Sequence, residues 1–134
     1  MNRRSILLVE DNQDLSDLAA ELLRDEGFLV HVAVTGLQVL TILREGLVPG
    51  CILLDLGLPD MSSADFLTQF HEIPGATEIP VALVSGNSEL GSWAKRFKTG
   101  RVIRKPYGLD ALLETATELC GAGASVKIPV TVSL

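Results

Sequence analysis

Four apolar runs, each closing on or just before a charged or hydroxyl residue, constrain this chain most. They are Ile6-Leu7-Leu8-Val9 before Glu10-Asp11, Cys51-Ile52-Leu53-Leu54 before Asp55, Pro80-Val81-Ala82-Leu83-Val84 before Ser85, and Val102-Ile103 shortly before Lys105. Runs this short and this apolar read as strands buried on both faces of a parallel sheet. Ligands bind such sheets just outside the carboxyl ends of the strands. Three carboxylates, one hydroxyl and one ammonium are therefore expected at one edge of one sheet. That set suits a divalent cation and a phosphoryl group.

The stretches between the runs have helical spacing. Leu15, Leu18, Ala19, Leu22 and Leu23 predict a helix over residues 13–26, with Gly27 as its stop. A second strand is expected over residues 28–33. Thr35 is placed to cap the next helix, whose apolar face takes Leu37, Leu40 and Leu43. Residues 46–50 read as a turn, and the following strand as residues 51–54. Ser62 or Ser63 caps a helix carrying Phe66, Leu67 and Phe70. The fourth strand is read over residues 80–84, with Pro80 at its tolerant first position. A short helical segment starting at Asn87 or Ser88 is weakened by Gly91 and Ser92. A strand over residues 101–104 and a helix over residues 109–120 complete the series. Strand and helix thus alternate about five times, which predicts right-handed crossovers and a parallel sheet.

A chain of 134 residues is expected to form one domain, residues 1–120, followed by a tail, residues 121–134. In that tail Val126, Ile128, Val130, Val132 and Leu134 alternate with Lys127, Pro129, Thr131 and Ser133. Alternation suggests an extended segment, and Pro129 restricts it to an edge strand or a linker. No apolar run reaches the ~18 residues of a membrane span, and Glu10-Asp11 breaks the only leader-like stretch. A cytoplasmic location follows as the expectation. The net charge of −6 argues against nucleic-acid binding by this chain. Cys51 and Cys120 fit no metal spacing and read as reduced, buried thiols. His31 and His71 are isolated and read as solvated or half-buried, and Arg3-Arg4 as a solvated basic patch.

Crowded carboxylates such as Glu10, Asp11 and Asp55 repel one another unless a cation joins them. Mg²⁺ answers that need, since it takes one or two carboxylates and keeps waters for other oxygens. With a cation in place, one carboxylate can act as a nucleophile on phosphorus. Lys105 and Ser85 are candidates to stabilise the phosphoryl oxygens.

At this point the residues resemble a family. Leu7-Leu8-Val9-Glu10-Asp11-Asn12, Leu53-Leu54-Asp55-Leu56-Gly57-Leu58-Pro59-Asp60-Met61, Val84-Ser85-Gly86 and Arg104-Lys105-Pro106-Tyr107 resemble the receiver domain of two-component response regulators, across residues 4–120. The resemblance implies a doubly wound (βα)5, flavodoxin-like fold with strand order 2-1-3-4-5. It implies that Asp55 accepts phosphate from a sensor histidine kinase or histidine phosphotransfer protein. It implies Mg²⁺ held by Asp11, Asp55 and the Gly57 carbonyl, with Glu10 reaching it through water. It gives Ser85 and Lys105 to the phosphoryl oxygens, and a cis peptide at Lys105-Pro106. Such a module catalyses only its own phosphorylation and dephosphorylation, and a homodimer is among its modes of output.

The departures are specific. Val102 stands where the family usually has an aromatic switch residue coupled to the hydroxyl position, here Ser85. Ser62-Ser63 replaces a common Asp-Gly pair, and the segment between Ser85 and Lys105 is short. Gly57 carries no side chain to shield a phosphoryl group. Val102 and the short segment keep a phosphate-independent binding module of the same fold as the alternative. A haloacid-dehalogenase-type hydrolase wants a second acid two residues after the nucleophile, where Gly57 stands. No output domain fits in the chain, so it is either a stand-alone regulator or the first part of a longer one. Met1 close before the first strand favours a natural N-terminus.

Overall fold

Strand residues alternate between two faces, and this alternation builds two cores. The computed structural model describes residues 2–55, 57–85, 102–104 and 108–121, with the side chains of residues 2, 3, 85, 104 and 121 outside the description. Five strands, β1 (Asn2–Val9), β2 (Leu29–Ala33), β3 (Pro49–Asp55), β4 (Val81–Ser85) and β5 (Val102–Arg104), form one sheet ordered β2-β1-β3-β4-β5. All its pairings are parallel. The helices are α1 (Gln13–Asp25), α2 (Gly36–Arg44), α3 (Ser63–His71) and α4 (Leu109–Ala116), the last widening into a π turn over Thr117–Gly121. The doubly wound fold with order 2-1-3-4-5 is the one the sequence led us to expect.

On one face Leu7, Val9, Ile52, Leu54 and Leu83 pack against Leu40, Phe66 and Phe70 of α2 and α3. On the other, Ile6, Leu8, Leu53 and Val84 pack against Ala19, Leu23 and Leu112 of α1 and α4. Each fully buried Leu, Ile or Phe side chain contributes about 1.5–3 kcal/mol. Three helix starts are capped as polar side chains allow: Asn12 accepts from the Leu15 N–H, Thr35 from Gln38 and Ser62 from Asp65. Ser62, not Ser63, is thus the cap of α3. Gly27 and Gly46 take φ of 95° and 107°, the left-handed region that ends α1 and opens the turn after α2.

Several boundaries differ from expectation. β1 begins at Asn2, because Asn2 pairs with Pro49 across a register irregularity before Ile6. β3 likewise begins at Pro49, at a strand start where a missing N–H is tolerated, and runs through Asp55. β2 starts at Leu29 and β4 at Val81, each one residue later than expected. Leu18 and Leu37, expected on buried helix faces, are 56% and 57% exposed. In α1 the small Ala19 and Ala20 sit against the sheet with Leu23, and Leu18 falls one residue, about 100°, round the helix from Ala19. In α2 the buried Gly36, Val39, Leu40 and Leu43 take the inner face and leave Leu37 on the flank. Arg4, read as part of a solvated patch, also lies 4.4 Å over the Phe28 ring and donates to the Glu26 carbonyl at 3.0 Å. His31 is half-buried and His71 exposed, in line with their reading. The short helical segment after Ser85, Trp93 and the tail after Gly121 lie outside the described residues.

Candidate functional site

Register brings the acidic residues together. Val9 pairs with Leu54, so Glu10 and Asp55, each next in chain, stand side by side at the carboxyl edge. The Glu10 N–H donates to the Ala33 carbonyl at 3.1 Å, which holds this corner to the end of β2. Glu10 and Asp55 are only 3% and 6% exposed, while Asp11 is exposed. One carboxylate oxygen from each of Glu10, Asp11 and Asp55 lies within 4.8 Å of the others. Ionised carboxylates only accept hydrogen bonds, so they cannot satisfy one another.

Backbone donors orient two of them. The Asn12 N–H donates to Glu10 Oε2 at 3.1 Å, and the Gly57 N–H to Asp55 Oδ1 at 2.9 Å. Asn12 also caps α1 with its side chain, so this residue both starts the helix and holds Glu10. Gly57 is exposed, and a Cβ added there would meet Asp55 Oδ1 at an ordinary contact of 3.4 Å.

The other expected positions are placed in part. Ser85 closes β4, one residue past the Asp55–Val84 pair, and its backbone pairs with Arg104. Its side chain, Lys105 and the Lys105-Pro106 peptide lie outside the described residues. Val102 pairs with Leu83 and is 37% exposed on the edge strand.

Two further features were not foreseen. Asp60 accepts from the Gly36 N–H at 2.7 Å through Oδ1 and from the Leu37 N–H at 3.0 Å through Oδ2. Desolvation works to raise its pKa, but these backbone hydrogen bonds outweigh that and hold the carboxyl below its usual range. An acid two residues before a helix cap is a recognisable signal only for its own helix, and Asp60 instead serves a helix 24 residues earlier. At the opposite edge Cys51 and Cys120 are buried as expected, and their Sγ atoms lie 3.0 Å apart, a pairing across 69 residues that no local pattern carries.

A doubly wound parallel sheet with clustered carboxylates beyond its carboxyl edge defines a class of α/β protein built to bind a charged ligand there. Residues 6–117 match the response regulator receiver domain family, and the chain belongs to that family. It is a receiver domain of two-component signalling. The transcriptional regulatory protein CreB of Escherichia coli K12 is 38% identical over 89 residues, which cover 66% of this chain and 38% of CreB. The chain thus spans well under two-thirds of that relative's length. The signal receiver domain of a LuxO repressor protein from Vibrio parahaemolyticus superposes with a TM-score of 0.71 at 28% identity, covering 87% of this chain and 88% of that one. The receiver domain of sensor histidine kinase PA1611 from Pseudomonas aeruginosa shares the fold, with a TM-score of 0.71 at 21% identity over 87% of this chain and 96% of that one. That protein's crystal structure has a magnesium ion coordinated in its active-site cleft. Among the described residues no helix is long and apolar enough to cross a membrane.

Proposed function

We propose that Asp55 accepts a phosphoryl group from a sensor histidine kinase or a histidine phosphotransfer protein in a Mg²⁺-dependent reaction, and that the phosphorylated domain binds its partner differently. The observation that carries this reading is the convergence of Glu10, Asp11 and Asp55 oxygens within 4.8 Å at the carboxyl edge. Two of those residues are buried, so their mutual repulsion is poorly screened and favours a bound cation. The donors are all hard oxygens, a set that fits Mg²⁺ and not a softer metal. Asp11 and Asp55 would hold the ion with the Gly57 carbonyl, and Glu10 would reach it through water. When bound, Mg²⁺ neutralises charge on the carboxylates and on the phosphoryl oxygens.

The chain's own residues do the rest. An Asp55 oxygen attacks phosphorus, and the bond from phosphorus to the donor's imidazole nitrogen breaks. The imidazole leaves with the electron pair and takes up a proton. The Gly57 N–H fixes Asp55 Oδ1 and so orients the carboxylate for attack. Lys105 and Ser85 are assigned to the phosphoryl oxygens, as an ammonium and a hydroxyl donor. The domain then catalyses only its own phosphorylation and the hydrolysis of Asp55 phosphate. We assign residues 1–120 to this receiver, in the cytoplasm, and residues 121–134 to a tail, linker or added strand. Its partners are proteins, among them a second copy of itself, rather than nucleic acid.

The test is intact mass after incubation with acetyl phosphate, with and without Mg²⁺, beside Asp55→Asn. One phosphoryl group should add to the wild type with Mg²⁺, acid-stable and base-labile, and none to the variant. Mg²⁺-dependent labelling that survives Asp55→Asn would place the acceptor elsewhere. No labelling from acetyl phosphate or from a phosphorylated histidine phosphotransfer protein would favour a phosphate-independent binding module, the reading that the aliphatic Val102 supports.

A further inference from the structure

The loop of residues 57–61 joins the acceptor strand to α3, and Gly57 within it fixes Asp55 Oδ1. The other end of this loop is tied to the start of α2. Asp60 takes the N–H groups of Gly36 and Leu37 on its two carboxylate oxygens, at 2.7 and 3.0 Å. Those are donors that a helix leaves without intrahelical partners. The helix also has its own cap, since Thr35 accepts from the Gln38 N–H at 3.1 Å. The two capping side chains therefore serve different donors, and Asp60 does more than start a helix.

Met61 adds a second tie. A Cβ built on Gly36 would come within 2.8 Å of Met61 Sδ, so Met61 packs closely on the start of α2 and its side chain would have to shift for any larger residue at 36. Leu58 and Met61 are both partly buried against the core shared by α2 and α3. A carboxylate at a helix N-terminus is also favoured by the helix dipole, and Asp60 is held in its charged form. From Gly57 to Asp60 is three residues, so the two ties lie close together in the chain.

We infer that Asp60 is a positioning residue through which α2 sets the acceptor loop, and with it the Gly57 N–H, against Asp55. The inference rests on the phosphoacceptor reading for its consequence, but not for its geometry. A displacement of the first turn of α2 then moves Gly57 relative to the carboxylate that it orients.

The experiment compares Asp60→Ala, Asp60→Asn and Thr35→Ala with wild type. Two quantities are read: hydrogen exchange and chemical shift of the Gly57 amide in metal-free protein, and the rate of labelling by acetyl phosphate with Mg²⁺. Asp60→Ala should speed Gly57 exchange and slow labelling, each by about tenfold, within the ~100-fold that an ångström of misplacement can cost. Asp60→Asn keeps one acceptor oxygen and should fall between. Thr35→Ala removes a cap from the same helix end and lowers its stability, yet should leave both readouts at wild-type values. An unchanged Gly57 amide in Asp60→Ala overturns the inference. So does an equal change of both readouts in Thr35→Ala, which would make Asp60 only a helix cap. If the wild type takes no phosphoryl group, the phosphoacceptor reading fails and the amide readout still decides the positioning role.

Discussion

β1 and β3 run side by side, and their two ends treat polar groups in opposite ways. Toward the amino ends, Cys51 Sγ lies 3.0 Å from Cys120 Sγ, which lies 3.6 Å from the Ser5 carbonyl oxygen. The hydrogen bond that the Cys51 thiol shares with Cys120, and then burial, push the Cys51 thiol far up, so it stays neutral. Neutral thiols can donate to one another and to a carbonyl, and this end is satisfied within the chain. At the carboxyl ends, Glu10, Asp11 and Asp55 bring three acceptors together, two of them buried. Backbone N–H groups donate to Glu10 and Asp55, and carboxylates cannot donate to one another. The difference is between an end whose polar groups are neutral and one that gathers negative charge.

The sharpest way to break this comparison is to move a charge to the wrong end. Cys51→Asp would bury a carboxylate beside the Cys120 thiol and the Ser5 carbonyl, with a cost of about 3–5 kcal/mol, as for an uncompensated buried charge. Urea unfolding measures it. A variant as stable as wild type would mean that the amino end accepts charge as readily as the carboxyl end does.

A smaller effect concerns how open the carboxyl end is. Gly57 brings no side chain to Asp55, and a Cβ there is tolerated at 3.4 Å. Gly57→Met is therefore expected to fold normally and to lengthen the lifetime of the Asp55 phosphate several-fold by screening it from water. Decay of the labelled protein, followed by mass, gives the answer, and an unchanged decay rate would remove Gly57 from the account.

The smallest effect is the pH response of Asp60. Its folded pKa lies below the ordinary 3.8, so its contribution to stability is complete above the unfolded value and is lost as pH falls through the folded value. Asp60→Asn should therefore flatten the acid limb of the stability curve below about pH 4 and leave neutral pH little changed. The comparison of urea midpoints between pH 2 and 7 reads it, and parallel curves for the two proteins would contradict it.

The sequence carried the placement of the strand-end carboxylates well for a physical reason. An apolar strand buried on both faces delivers the residue that ends it to the sheet edge, so Glu10 and Asp55 could be placed from local pattern alone. The parallel sheet followed from alternation of elements, and its strand order from the family resemblance. What was hidden depends on contacts between distant segments. Asp60 sits in a loop with no periodicity, and its partners Gly36 and Leu37 come from another element. The Cys51–Cys120 pair joins the start of a strand to the last turn of a helix. Leu18 and Leu37 have the spacing of buried residues but sit on the flanks, because Ala19, Ala20 and Gly36 let their helices turn small residues inward.

The central claim is that the carboxyl end is completed by a cation. Thermal unfolding of wild type and Asp11→Asn, each in chelator and in excess Mg²⁺, tests it most directly. In chelator the variant should be the more stable, because one like charge has gone. Excess Mg²⁺ at a hundred times its dissociation constant should stabilise the wild type by about 2.7 kcal/mol and the variant far less, so that their order reverses. A wild type indifferent to Mg²⁺, or a variant that gains as much, would contradict the account.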